Sequence, residues 1–158
     1  MIKVIGVGKI KEKAMKALIE EYLKRLRPYT KIEIIEVNDE SASDKNSDAE
    51  NRQVMDKEAE RVLRHIKDKD YVILLDLHGQ MLDSVGFANK MTQINTYQSS
   101  DITFVIGGSL GLGKALLDRS DYRFKMSDLT FTHQFVRLLL LEQIYRSFKI
   151  NNNETYHK

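Results

Sequence analysis

The sequence has no cysteine, no tryptophan, a single proline and no apolar run long enough to cross a bilayer. Without cysteine there are no disulfides, thiol nucleophiles or zinc thiolate sites, and the composition fits a reducing cytoplasm. The longest apolar stretch, residues 135–141, is broken by Arg137 and is far shorter than a membrane span. A secretory leader is not expected either, because Lys9, Lys11, Glu12 and Lys13 follow the first apolar run at once. An excess of one charge is also missing, since 25 Lys and Arg face 23 Asp and Glu, which rules out a disordered polyelectrolyte. What remains is 158 residues, 42% of them hydrophobic, enough for one domain over residues 1–158 with a single core.

The near-neutral total conceals an uneven distribution. Residues 1–30 carry eight basic against three acidic side chains, and residues 31–60 carry four against ten. The basic block (Lys9, Lys11, Lys13, Lys16, Lys24, Arg25, Arg27) reads either as a solvated helix face or as a track for phosphates. The acidic block would repel phosphates, so a nucleic acid should meet one face only.

Strand and helix signals alternate along the chain. Residues 2–7 predict a strand, and Ala14, Leu18, Tyr22 and Leu26 recur at helical spacing over residues 11–26. Pro28 ends that helix, and Ile32, Ile34, Ile35 and Val37 form a second strand. Ser47 with Glu50 three residues later is a capping box for a helix striped by Val54, Ala59, Val62, Leu63 and Ile66. Residues 71–75 and 102–106 are apolar throughout and predict strands buried on both faces. Asp83 caps a helix to about Tyr97, residues 114–117 start another, residues 122–126 predict a short strand, and a last helix runs from about Thr132 to Ile150. This rhythm predicts an α/β fold with a mostly parallel sheet and flanking helices. Residues 151–158 are polar and aperiodic, which on local signals alone makes them a frayed tail.

In open parallel sheets ligands sit beyond the carboxyl ends of the strands, which singles out three loops. One carries Asp76, His78 and Gly79; the next Gly107, Gly108, Gly111 and Gly113; the third Ser127, Asp128, Thr130 and Thr132. The glycine order G-G-x-x-G-x-G is not a dinucleotide fingerprint, and Ala115 after Gly113-Lys114 excludes a Walker motif. The cluster reads as a ligand contact or as a tight strand-to-helix turn. Among the histidines, His65 suits a helix end, His78 sits in a strand-end loop, and His133 at a helix start reads as neutral scaffold. No pair has metal-ligand spacing, so no metal is expected, and no G-x-S-x-G elbow supports an esterase triad. On the last helix, Glu142, Gln143 and Arg146 interleave with the apolar stripe and predict a polar seam against another subunit or a substrate.

Several segments together carry a resemblance. FVIGGSLGL (residues 104–112), MSDLTFTHQFVRLLLLEQIYRSFKI (126–150), the terminal YHK, VGKIKE near the start, PYTKIEIIEV (28–37) and LLDLHGQMLDS (74–84) occur in order over essentially the whole chain. The sequence resembles the RlmH family, SPOUT-class methyltransferases of large-subunit rRNA. The resemblance implies transfer of a methyl group from S-adenosylmethionine to N3 of a pseudouridine in 23S rRNA on assembled ribosomes. It also implies a homodimer, no metal, no membrane, and a C-terminal trefoil knot that pattern rules alone would not suggest. Carried onto this chain, the cofactor would touch Leu75, Gly107, Gly108, Met126, Ser127, Asp128, Leu129, Thr130 and Phe131. Tyr156 and His157 would act catalytically in the partner subunit's site, with Arg146 and Lys158 on RNA. Gln80, Asp83-Ser84-Val85 and Asn153-Glu154-Thr155 depart from the family pattern. Two other readings are a non-catalytic nucleotide-sensing module and a knotted methyltransferase aimed at a ribose 2′-hydroxyl or at tRNA.

Overall fold

In the computed structural model, which describes residues 1–158, the chain alternates five strands with five helices. These are β1 (Ile2–Val7), α1 (Lys13–Leu26), β2 (Ile32–Val37), α2 (Asp48–Leu63), β3 (Tyr71–Met81), α3 (Ser84–Tyr97), β4 (Ile102–Ile106), α4 (Lys114–Arg119), β5 (Tyr122–Lys125) and α5 (His133–Asn151). All strands are parallel, in the order β2-β1-β4-β3-β5.

Strands β1 and β4, paired at the middle of the sheet, are buried along their whole length; the apolar run of β4 predicts this, whereas in β1 the charged Lys3 is buried against Asp70, and in β3 Tyr71 and Leu75 stay partly exposed. Alternate side chains feed two cores, one on each face of the sheet, where the composition suggested a single one. Val4, Ile73 and Phe104 point into a layer built with α1, α3 and α5, whereas Ile5, Leu74 and Val105 meet α2 and α4 on the other face. Helix ends follow local chemistry. Ser47 and Glu50 close the capping box of α2, the Asp83 carboxylate accepts the Gly86 N–H at 2.7 Å, and Thr132 caps α5. Helix α1 starts two residues later than its periodicity suggested, at Lys13, with Glu12 as a cap position whose side chain makes no capping bond.

One element differs from expectation. Strand β3 does not stop at Leu75 but resumes pairing after a bulge, Gln80 opposite Phe124 and Met81 opposite Lys125, so the loop carrying Asp76 and His78 is a bulge held at both ends by β5.

Candidate active site

The connections leaving β3 and β4 go to opposite faces of the sheet, since α3 packs with α1 and α5 while α4 packs with α2. Two chains diverging in this way leave a crevice at the strand ends. A cavity of about 500 Å³ opens there, and the β5–α5 connection forms its third wall. The three loops singled out by sequence position thus meet in one cleft.

Leu75, Gly107, Gly108, Met126, Ser127, Leu129, Thr130 and Phe131 all line it. Asp128 does not, because its carboxylate turns to solvent and pairs with Lys125 at 2.6 Å. The glycine segment is shaped by Gly111, whose φ of +104° is accessible to glycine at little cost and lets its N–H bond the Gly108 carbonyl at 3.1 Å. Residues 107–112 make no other main-chain bond among themselves, and in residues 126–131 only the Leu129 N–H is bound, by Ser127 Oγ at 2.9 Å. Free amide and carbonyl groups beside an apolar wall of Leu75, Ile106, Met126 and Phe131 suit a flat, polar-edged ring such as adenine. Sequence reasoning did not find Arg123, Val136 and Met55, which also line the cleft, since each belongs to a regular element and faces it only through the fold. Arg123 stands 3.7 Å from Asp76, whose other oxygen accepts the His78 N–H at 2.9 Å, so that pair fixes the β3 bulge.

A second, polar cavity of about 520 Å³ adjoins the first and shares Gly108, Ser109 and His133 with it. Glu58 on α2 reaches it and is only 5% exposed. One carboxylate oxygen accepts the Glu40 N–H at 3.0 Å, and the other, against Gly108, has no partner. Burial pushes the Glu58 carboxyl above its usual range, against the pull of that single bond. Of the histidines, His78 and His133 line the cleft, whereas His65 is exposed at the far end of α2.

The C-terminal residues are not frayed. Glu154 accepts from the Tyr29 hydroxyl at 2.9 Å and pairs with Lys149, also at 2.9 Å. Tyr156 donates to Glu142 at 3.1 Å, packs edge-on to Tyr145 and lies under the Arg146 guanidinium. Burial, then the neighbouring Tyr22 and Glu142, raise the Tyr156 phenol well above its ordinary range. Arg146 pairs with Glu142 at 2.5 Å and faces His157 Nδ1 at 3.2 Å. Because a guanidinium only donates, that nitrogen must accept, leaving Nε2 as the protonated ring position. Lys158 is exposed, and Gln143 turns inward to accept from Ser84 at 2.8 Å. None of residues 151–158 lines the cleft of its own chain. The loops and the tail expected to share a site therefore lie apart within one subunit.

No three His, Asp or Glu side chains gather so as to hold a metal ion, and no helix is long and apolar enough to cross a membrane.

The family described as "Predicted SPOUT methyltransferase" matches residues 1–157. Curated relatives named "Ribosomal RNA large subunit methyltransferase H" are 52% identical in Ruminiclostridium cellulolyticum and 54% identical in Finegoldia magna, each over 99% of both chains. A putative counterpart from Methanococcus maripaludis is 48% identical over the same share. A solved structure of a probable methylase family protein from Haemophilus influenzae Rd KW20 superimposes with a TM-score of 0.53 at 15% identity, covering 99% of this chain and 70% of that one, which speaks for the fold. Matched from end to end at half identity, the chain belongs to the ribosomal RNA large subunit methyltransferase H family of SPOUT methyltransferases.

Proposed function

We propose that this protein methylates N3 of a pseudouridine in 23S rRNA, on the assembled ribosome in the cytoplasm, with S-adenosylmethionine as donor. The observation that carries this reading is the convergence of three strand-end loops on one cleft in a chain of this family. When bound, S-adenosylmethionine supplies an electrophilic methyl group on a sulfonium. Leu75, Met126, Leu129 and Phe131 would flank its base, and the free main-chain groups of residues 107–112 and 126–131 would bond its polar edges.

The working unit is a homodimer whose C-terminal part is a trefoil knot. Two observations favour a second copy over the cleft: the tail stays out of its own cleft, and Leu77, Leu129 and Phe131 on the rim, with Phe135 nearby, expose apolar surface that a partner would cover. The partner's Tyr156 and His157 then close the site. The imide N3–H must be lost as the methyl arrives. Tyr156, whose phenol holds its proton strongly, serves as a hydrogen-bond donor; His157 takes the proton on Nδ1 once that nitrogen leaves the Arg146 guanidinium it faces in the single subunit. Arg146 and Lys158 offset phosphate charge. The chain orients and excludes water, and in-line placement of the reacting atoms supplies most of the acceleration.

Titration calorimetry with S-adenosylmethionine should give saturable heat. Ribosomes from a strain lacking the protein should lack one methylated pseudouridine by mass spectrometry of the digested 23S rRNA and regain it on treatment. Methylation found instead on a ribose 2′-hydroxyl or on tRNA overturns the target, and no cofactor binding overturns the reading as a whole.

A further inference from the structure

The most basic stretch of the molecule lies away from the cofactor loops, on α1 and the turn before it. Lys13, Lys16, Lys24 and Arg27 fall on one side of α1, a face about 80° wide by helical rotation and about 21 Å long. Lys9 and Lys11 continue it beyond the helix start, and all six side chains are exposed. The opposite side of the helix buries Ile19 and Leu26 in the core. The acidic groups near the row are Glu20 within it, Glu12 at its start, and Asp39, Glu40 and Glu58, which line the polar cavity together with Lys9 and Lys11.

Three features separate this row from an ordinary solvated face. The first is that its cations are unpaired: the one ion pair on α1 joins Arg25 to Glu21, off the row, and none of the six side chains makes a hydrogen bond. Elsewhere on the surface Arg64, Lys69, Lys114, Arg119 and Lys125 face carboxylates, and the unpaired Lys45, Arg52 and Lys57 lie within the acidic block of residues 31–60. The second is that Lys13 and Lys16 occupy the first turn of α1, which has no acidic residue and no side-chain cap, so they sit where the helix dipole disfavours cations. A breach of local helix rules without local compensation points to use by something outside the chain. The third is continuity: Lys9 and Lys11 line the polar cavity that shares Gly108, Ser109 and His133 with the cofactor cleft. The row therefore begins at the lip of the candidate active site and leads away from it.

We propose that Lys9, Lys11, Lys13, Lys16, Lys24 and Arg27 form a phosphate-tracking edge that holds the rRNA backbone flanking the methylated nucleotide. This rests on the methyltransferase reading above and adds where the substrate strand runs. A row of unpaired cations is matched by a polyanion whose charges repeat along a line, and such contacts position a strand without reading its sequence. An anionic bilayer fits less well, because the apolar side of α1 is already buried in the core and cannot insert.

The test replaces Lys13, Lys16, Lys24 and Arg27 together by Gln in the full chain. Binding to a fluorescein-labelled RNA hairpin copied from 23S rRNA is followed by anisotropy between about 50 and 200 mM salt. The expected result is roughly tenfold weaker binding or more, with a plot of log K against log salt shallower by about three. On ribosomes, KM for methylation should rise with kcat unchanged, and S-adenosylmethionine titration should match the wild type. Replacing Lys45 and Lys57 by Gln at the acidic α2 side should change nothing. A second variant, Lys13→Glu with Lys16→Glu, suits the start of a helix, so it should melt no lower than wild type while binding RNA more weakly. Wild-type affinity and salt slope in both variants overturn the proposal, as does binding of vesicles of anionic lipid in preference to the hairpin. If the wild type transfers no methyl group, the methyltransferase reading fails instead, and the salt slope still decides the edge.

Discussion

Arg137 on α5 and Glu36 on β2 are 101 residues apart in sequence and meet with Nη1 2.6 Å from Oε2. The same carboxylate oxygen accepts the Ile10 N–H at 3.0 Å, and Arg137 Nη2 donates to the Gly8 carbonyl at 3.1 Å. One guanidinium, 2% exposed, thus ties the last helix to the turn after β1, beside the polar cavity and the start of the basic row. Its Nε has no partner in the chain.

Removing Arg137 leaves the partly buried Glu36 carboxylate without its cation. Arg137→Ala should therefore cost about 3 kcal/mol, reduced from a fully buried pair because Glu36 is one-third exposed. Gly6→Ala should act similarly without touching either charge, since a Cβ there would occupy the guanidinium's place. Urea unfolding of both variants checks this, and an unchanged midpoint for Gly6→Ala would show that the guanidinium can move at no cost.

Glu58 gives a pH dependence of the opposite sign to most carboxylates. Its folded-state value lies above the ordinary one, so its contribution favours folding at low pH and is lost as the pH rises through the raised value. Glu58→Gln should melt with the wild type near pH 4 and be the more stable protein at pH 7, by about 1 kcal/mol for one relieved buried oxygen. Melting temperatures across that range decide the sign.

At the other end of the sheet, Lys3 Nζ lies 2.6 Å from Asp70, which also accepts from Lys67 N–H and Thr103. Burial would raise this carboxyl, but the Lys3 ammonium and the two hydrogen bonds outweigh it and hold it below the usual range. Its stabilisation is present above about pH 4, the value in the unfolded chain, and disappears as the pH falls through the lower folded value. Asp70→Asn should flatten acid unfolding in that window, while Lys3→Met should cost about 3 kcal/mol or more at pH 7. Neither change should alter cofactor affinity, because this pair lies at the end of the sheet away from the cleft.

If Tyr156 donates and His157 takes the proton, their substitutions separate. His157→Ala should lower single-turnover methyl transfer by roughly a hundredfold or more with cofactor binding intact. Tyr156→Phe removes one hydrogen bond, to Glu142, and should cost about 1 kcal/mol. Equal losses from both would reassign the proton acceptor.

Much of the architecture was legible because its signals are local. Ser47 with Glu50, Asp83 and Thr132 mark helix starts through bonds to amides three residues away, and the apolar run of β4 announces a strand buried on both faces. The second half of β3 was not legible. Residues 76–81 lack alternation, and Gln80 and Met81 pair only because β5 lies beside them past the bulge of residues 76–79.

The tail shows the same limit. Nothing in residues 151–158 predicts order, yet Glu154 finds the Tyr29 hydroxyl 125 residues away, and Tyr156 packs among aromatics of α1 and α5. Asp128, grouped with the cofactor loops by position, leaves them because Lys125 is three residues off and free to pair.

By itself the sequence determined the succession of strands and helices, the three loops at strand ends and, through its motifs, the family, since each depends on neighbours within a few residues or on matched order along the chain. Only the tertiary structure decided that those loops share one cleft, that Glu58 and Arg137 are buried with atoms unpartnered, and that the cations in the row along α1 make no ion pair. Those are properties of distance and desolvation, which depend on what the chain brings back from far away.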